Sequence, residues 1–481
     1  MARAEPDPGL PIKLGPCSNG EFVPPPPSPL VRETVRRANE AVDRNARRTG
    51  MSRRQFLLSA CASATTLSVL AACSSSRSGG SSGGTFTVPT EATTEPGAAQ
   101  EALGGSELIF DVQGHLLEYP PGSDLALPGF PQSECGADDP HECYGMETFL
   151  DLMFLQSDTS AVMLSAVPFP GELLSPEVMA ETIALADRIG CDGRVMMQGQ
   201  ANPSMAPSIA AMQDSMASIA ADFPIRAWKT YTHSGGPGWF LDDHDGSAPQ
   251  VGDAFLEQAA ALGIPIVAVH KGFGSGSRFA SPVDIGPAAA AHPDISFVVY
   301  HSGYEAGGTE GPYDPDGEGV DRLITSMRDA GLGPGSNVYG ELGSTWKLTM
   351  GEPDQAAHIL GKLLVALGED NVVWGTDSLW YGTPQDQIEA FRAFEITPEL
   401  QERFGYPALT PEIKAKILGG TSAALYGVDL PAVPCESSRE DIAEARLASV
   451  DRNRTYGPTT ADEVAAFLEW DRQRAVTLTR G

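Results

Sequence analysis

Basic side chains are scarce in this 481-residue chain: 32 Lys and Arg stand against 63 Asp and Glu, a formal net charge of −31. The deficit is uneven, because residues 1–73 carry ten basic and six acidic side chains and leave 22 against 57 beyond them. A surface this acidic repels phosphate backbones, which argues against a nucleic-acid partner. Long apolar runs are lacking too. The best candidate ends at Ala72 and is too short and too diluted by Ala, Ser and Thr to span a membrane. No Gly-rich phosphate loop follows the first apolar run after Gly104, which weakens the case for a nucleotide-binding open sheet. What is present is 41% apolar content, enough for a substantial core.

The start of the chain reads as an export segment. Ser52-Arg53-Arg54-Gln55-Phe56-Leu57-Leu58 fits a twin-arginine signal, and Leu70-Ala71-Ala72-Cys73 resembles a bacterial lipobox. The expectation is cleavage before Cys73 and lipidation of that residue. Membrane association through the lipid anchor and an extracytoplasmic location would follow. Residues 1–50 then form an N-terminal extension with the proline run Pro24–Pro27 and a helical pattern over Ser28–Arg48. Residues 51–73 form the signal, and residues 74–106 a Ser/Gly/Thr-rich tether. Among the seven cysteines, Cys135 and Cys143 flank Gly-Ala-Asp-Asp-Pro-His-Glu at a spacing that suits a short surface disulfide in an oxidising compartment, two free thiols being the alternative.

After Gly104 short apolar runs alternate with longer amphipathic ones. The runs are Leu108–His115, Ala161–Pro168, Arg194–Gln200, Ile225–Tyr231, Ile264–His270, Ile295–His301, Asn337–Gly343 and Asn371–Asp377. The segments between them, such as Pro176–Ile189 and Asp354–Leu367, carry apolar residues at helical spacing. Eight such units predict an α/β fold, a closed (β/α)8 TIM barrel over residues 107–430, with a doubly wound open sheet as the alternative. Residues 431–481 read as a helical C-terminal extension, with helices over Ser437–Val450 and Thr459–Ala475. Phe467, Leu468 and Trp470 offer an apolar face there, suited to covering the barrel bottom or to a subunit contact in a homo-oligomer.

Polar residues stand where the apolar runs stop. Period-2 alternation puts Ile109, Asp111, Gln113 and His115 on one face of the first strand. It likewise groups Ile264, Ile266, Ala268 and His270 on the fifth, Ile295, Phe297, Val299 and His301 on the sixth, and Val373, Gly375 and Asp377 on the eighth. Active sites of such barrels form at this C-terminal rim. Lys229, Arg226 and Arg278 lie near rim positions as clamps for a substrate carboxylate, and Glu341 shares the inward face of the seventh strand with Tyr339. Trp239, Phe240, Trp346, Trp380 and Tyr381 follow strands and suit an aromatic pocket or core packing. His233 and His244 fall in a Gly/Asp-rich loop and read as solvated.

Asp-x-Gln-x-His on the first strand, His on the fifth and sixth, and Gly-Thr-Asp on the eighth resemble the amidohydrolase-related branch of the amidohydrolase superfamily. The run Lys416–Gly427 resembles that branch's closing helix. The resemblance implies one divalent metal ion, zinc or manganese, on Gln113, His115, His270 and Asp377, with His301 and Asp377 catalytic. It also implies a His where this chain has Gln113, whose neutral carbonyl is a weaker zinc donor than imidazole. In some members a lysine at the place of Lys229 is carbamylated; charge pairing or substrate binding is the other reading, and Arg278, Glu341 and Trp346 complete the substrate-binding set. The expected reaction is metal-assisted hydrolysis of a small ester, lactone or amide. Decarboxylation of a small or aromatic acid is the alternative, and a non-catalytic binding protein with a decayed metal site is the third reading.

Overall fold

The computed structural model describes residues 7–77, 83–119, 140–168, 171–234, 236–243, 245–274, 276–432, 435 and 453–478. Helix α1 (Pro29–Thr49) begins where the Ser28 side chain accepts a hydrogen bond from the Val31 N–H, with Pro29 in the first turn. It ends at Gly50, whose φ of 70° closes the last turn. Leu30, Val31, Ala38, Val42 and Ala46 form its buried stripe. Helix α2 (Arg53–Leu57) is the twin-arginine stretch itself, started by a reciprocal capping box between Ser52 and Gln55. Arg53 pairs with Asp7 at 3.0 Å and with Asp43 at 2.6 Å. Helix α3 (Ala60–Arg77) packs against α1, and Cys61, Ala62, Leu67, Leu70 and Cys73 are buried in the main core. The residues expected to form a cleaved signal are thus built into the fold. An apolar run suited to an export signal satisfies the same burial requirement when it packs on a core, and composition does not separate the two.

The expected tether also differs from what is observed. Strand β1 (Gly84–Phe86) pairs antiparallel with Phe394–Ile396, and α4 (Pro96–Leu103) buries Ala99 and Leu103. Phe86 packs its ring against Phe394 at 5.4 Å between centroids.

Each of the eight apolar runs contains parallel strand. Strands β2 (Phe110–Gly114), β3 (Ala161–Leu164) and β4 (Val195–Met197) form one sheet. Strands β5 (Gly199–Gln200), β6 (Trp228–Tyr231), β7 (Ile266–His270), β8 (Ser296–Tyr300), β9 (Val338–Glu341) and β10 (Val372–Val373) form the other, in that order. Only Gln198 separates β4 from β5, so one run serves both sheets. At the far side the Val112 N–H donates to the Trp374 carbonyl at 3.0 Å, the His115 N–H donates to the Ser378 carbonyl, and Gly114 bridges to Ser378 in parallel. The architecture is mixed α/β, with helices between the strands of successive apolar runs.

A cluster made almost wholly of strand residues, including Val112, Met163, Ala268, Val298, Tyr300 and Val373, packs separately from the helix-covered core. This corrects the period-2 reading on two strands. On β2 the clustered residues are Phe110 and Val112, and on β8 they are Val298 and Tyr300, opposite in parity to Gln113 and His301. Gln113 reaches the site because the β2–β3 register shifts between Asp111 and Gly114, and His301 because its backbone turns left-handed at φ 60°. On β7 and β10 the alternation is simple, with Ala268 and Val373 in the cluster two and four residues before His270 and Asp377.

Of the helical extension, Ala461–Leu478 is helical, close to the expected Thr459–Ala475. Residues 437–450 lie outside the described residues. No helix among those described is long and apolar enough to cross a membrane.

Candidate active site

A cavity of about 280 Å³ lies at the C-terminal ends of the parallel strands, lined by Gln113, His115, Tyr231, His233, His270, Asp377 and apolar side chains including Leu117, Val167, Phe273 and Trp380. Two of its walls come from outside the parallel-strand unit. Asn19, Gly20 and Glu21 enter from the N-terminal arm, and Phe467 and Leu468 from the last helix, so that helix sits at the cavity and not at the opposite end of the strands.

Asp377 is the most heavily bonded group. Its Oδ1 accepts from Gln113 Nε2 at 3.1 Å and lies 3.3 Å from His115 Nε2. Its Oδ2 accepts from Asn19 Nδ2 at 2.9 Å and from the Ser344 hydroxyl at 2.5 Å. Burial alone would raise its pKa, yet the His115 hydrogen bond, the His301 charge and the Ser344 hydroxyl together hold it below the ordinary carboxylate value. Its backbone is left-handed at φ 56°, a strained conformation for a non-glycine residue and one that clusters at functional sites.

His115 is fixed by a hydrogen bond from Nδ1 to the Ser165 carbonyl, which turns Nε2 toward Asp377. Gln113 Nε2 stands 3.4 Å from that nitrogen, while Gln113 Oε1 is buried with no hydrogen-bond partner. The three facing atoms on Gln113, His115 and Asp377 are therefore 3.1, 3.3 and 3.4 Å apart. Donors at about 2.1 Å from one ion stand roughly 3.0–3.4 Å from each other, so this triangle has the size of a coordination face. A half-turn of the Gln113 amide exchanges its nitrogen for the orphaned oxygen, giving three electron-pair donors. The residues fit the metal that the sequence resemblance implies, the amide included.

His270, expected in the same set, faces elsewhere. Its Nε2 lies 2.9 Å from Glu21 Oε2, its ring stacks on Tyr231 at 5.0 Å, and His233 stands 4.9 Å away. Burial pushes His270 well below the ordinary histidine value and takes His233 down to about 3. His233 was expected to be solvated; it is half-buried in the cavity wall instead. His244 lies outside the described residues.

His301 is buried beside these groups, its Nδ1 donating to the Gly343 carbonyl at 2.6 Å and its Nε2 without a partner. Glu341 accepts from the His301 N–H at 2.8 Å, and burial raises its pKa to about 8. Lys229 is fully buried, with its ammonium 3.6 Å from the Tyr300 ring centre and no hydrogen-bond partner among the described residues. Burial lowers its pKa to about 7. The other substrate-binding candidates lie away from the cavity lining. Arg278 is exposed and pairs with Asp245, Arg226 is exposed, and Trp346 is buried with its indole N–H on the Gln387 carbonyl at 2.9 Å. Of the five aromatic candidates, Trp380 lines the cavity and Trp239 packs in the core against Phe255.

Asn19 and Glu21 were missed because the arm carries no strand or helix pattern that ties it to the rim. His233 had a detectable signal: it closes Tyr231-Thr232-His233, directly after the fourth strand.

The Amidohydro_2 family profile, described as amidohydrolase, matches residues 155–428. The chain belongs to this family. The match starts beyond β2, so Gln113 and His115 lie outside it. No curated protein matches the chain. Among solved structures it is similar to 2,6-dihydroxybenzoate decarboxylase complexed with 2,6-dihydroxybenzoate, at 13% identity over 67% of this chain and 98% of that one, TM-score 0.40. It is also similar to 2,6-dihydroxybenzoate decarboxylase from Rhizobium, at 14% identity over 67% and 99%, TM-score 0.40. A third is 5-carboxyvanillate decarboxylase LigW from Sphingomonas paucimobilis, at 14% over 67% and 100%, TM-score 0.38.

Proposed function

We propose that this amidohydrolase-family chain is a metal-dependent carbon–carbon lyase that releases carbon dioxide from a small, largely apolar or aromatic carboxylic acid. The observation that carries the reading is the state of Asp377. Hydrolysis through an activated water calls for a base with a free lone pair and a pKa near the working pH. Asp377 takes hydrogen bonds from Asn19 and Ser344 on Oδ2 and turns Oδ1 to the face shared with Gln113 and His115. It is suited to holding an ion and poorly suited to taking a proton. That weighs against the ester, lactone or amide hydrolysis expected from the sequence.

Decarboxylation needs no attacking water. It needs a clamp for the substrate carboxylate, a cavity that keeps bulk water from the electron pair left when carbon dioxide departs, and one proton for that pair, which His301, buried with Nε2 unpartnered, would relay from solvent to the carbon. Gln113, His115 and Asp377 would hold the metal, which when bound supplies a Lewis acid for the carboxylate. Leu117, Val167, Phe273, Trp380 and Phe467 offer the apolar surface for the hydrocarbon body and exclude water from it. His115 keeps Nε2 available because Nδ1 is bonded to Ser165. Ser344, itself bonded to the Tyr381 hydroxyl at 2.6 Å, keeps the Asp377 carboxylate oriented.

We read the parallel strands as one closed barrel, supported by the β2–Trp374 and Gly114–Ser378 contacts. We also propose an extracytoplasmic location, supported by the disulfide between Cys191 and Cys435 and by the bonded state of Cys143. The expected partner of Cys143, Cys135, lies outside the described residues. Lipidation at Cys73 gains no support from a side chain buried in α3.

The test is a screen of aromatic and aliphatic carboxylic acids against esters, lactones and amides, using the full chain loaded with zinc or manganese. Carbon dioxide release, lost in His115→Ala, is the expected result. A hydrolytic product without carbon dioxide would reject the lyase reading.

A further inference from the structure

Outside the Gln113–His115–Asp377 triangle, one group of metal-ligating side chains stands close together among the described residues. Glu21, His233 and His270 offer donor atoms that all lie within 4.8 Å of one another. We propose that these three residues form a second divalent-cation position, with one ligand delivered by the N-terminal arm.

Three independent features support it. The donor set is chemically apt: two imidazoles and a carboxylate are common zinc ligands. The Nδ1 atoms of both His233 and His270 are buried without hydrogen-bond partners, so neither ring is committed through that nitrogen. The carboxylate is held in place beforehand. Glu21 Oε2 accepts from Asn19 Nδ2 at 2.7 Å, and the Glu21 N–H donates to Asn19 Oδ1 at 3.0 Å. Ser18 donates to the Phe22 carbonyl at 2.6 Å, the Phe22 ring stacks on Phe273 at 4.9 Å, and the Ser18 N–H donates to the Pro458 carbonyl at 2.8 Å. A carboxylate fixed this firmly against a histidine loses little freedom when an ion replaces the hydrogen bond.

The burial chemistry agrees. Both histidines are driven toward the neutral form, which is the ligating form, and burial raises the Glu21 pKa. The proposal is independent of the reaction class, since it concerns binding and stands for lyase or hydrolase. It does require residues 18–22 to remain on the folded protein, against the expectation that the chain is cut before Cys73.

The test uses the full chain, stripped with a chelator and titrated with zinc, with bound metal counted by mass spectrometry and the cobalt-substituted protein followed by visible absorption. Glu21→Gln and His233→Ala are each expected to lose one zinc equivalent and the corresponding cobalt band, whereas His115→Ala keeps them. Glu21→Asp, which retains the carboxylate, is expected to recover a weaker equivalent, and unchanged far-ultraviolet dichroism shows that the variants fold. Undiminished stoichiometry and cobalt spectrum in both Glu21→Gln and His233→Ala would overturn the proposal, as would a full chain that binds no zinc. A Glu21-dependent equivalent in a protein that releases no carbon dioxide rejects the lyase reading alone.

Discussion

Lys13→Met tests whether the N-terminal arm belongs to the working fold. Lys13 Nζ lies 2.7 Å from Asp386 Oδ1, with the two side chains 4% and 2% exposed, and also donates to the Thr383 carbonyl at 2.8 Å. The Lys13 N–H donates to Asp386 Oδ2 at 3.1 Å, and Lys347 stands 3.4 Å from the same oxygen. Removing one partner of a buried pair costs about 3–5 kcal/mol because the other charge stays buried. Here Lys347 and the backbone N–H remain, which places the loss near 3 kcal/mol, the low end of that range. Confined to opening of the arm, that is roughly a hundredfold rise in the open population, at about 1.36 kcal/mol per factor of ten. Amide hydrogen exchange across residues 10–22 reads it directly, and limited proteolysis after Arg32, Arg36 and Arg37 is expected to accelerate with it. The sign with pH is fixed as well. Burial would raise the Asp386 pKa, but the Lys13 and Lys347 charges outweigh it and the pKa is lowered. The stabilisation is therefore complete above the unfolded carboxylate value and lost as pH falls through the lower folded value. Arm exchange that is unchanged in Lys13→Met at pH 7 would refute the reasoning.

Two further perturbations follow from buried groups. Cys191→Ser with Cys435→Ser opens a bridge spanning 244 residues and is expected to cost about 2–5 kcal/mol, read as a lowered denaturant midpoint; a midpoint equal to the parent's would mean that the bridge does not restrain the unfolded chain. Lys229→Met removes a buried ammonium whose pKa falls to about 7, so the parent gains stability as pH rises from about 7 toward the unfolded value of 10.5, where the unfolded chain binds the extra proton. The variant is expected to lack that rise, and its stability advantage over the parent should be larger at pH 7 than at pH 10; a pH-independent difference would contradict the buried-charge account.

The parallel-strand part of the chain was legible because burial imposes a pattern there. All eight apolar runs contain strand, since a parallel strand covered on both faces must be apolar along its length. Individual inward faces were less legible. The register shift between Asp111 and Gly114 and the left-handed turn at His301 each reverse the parity that period-2 reading relies on; Gly114 and Gly303 stand at these irregularities, but a glycine alone does not say which way the following side chain turns. The site shows the same division. His115 and Asp377 come together as their positions at strand ends implied, whereas Glu21 arrives from some 90 residues before β2, in an N-terminal extension that precedes the segment read as an export signal. Twin arginines and an Ala-rich run carry an address only if they remain exposed for a receptor to read. In this fold Arg53 is held by Asp7 and Asp43, and Leu67, Leu70 and Cys73 are packed in the core. Export in the folded state would therefore require α2 and α3 to leave that core. Leaving it would withdraw the same chain that bonds Asn19 to Asp377 and Glu21 to His270, so targeting and site assembly compete for one segment.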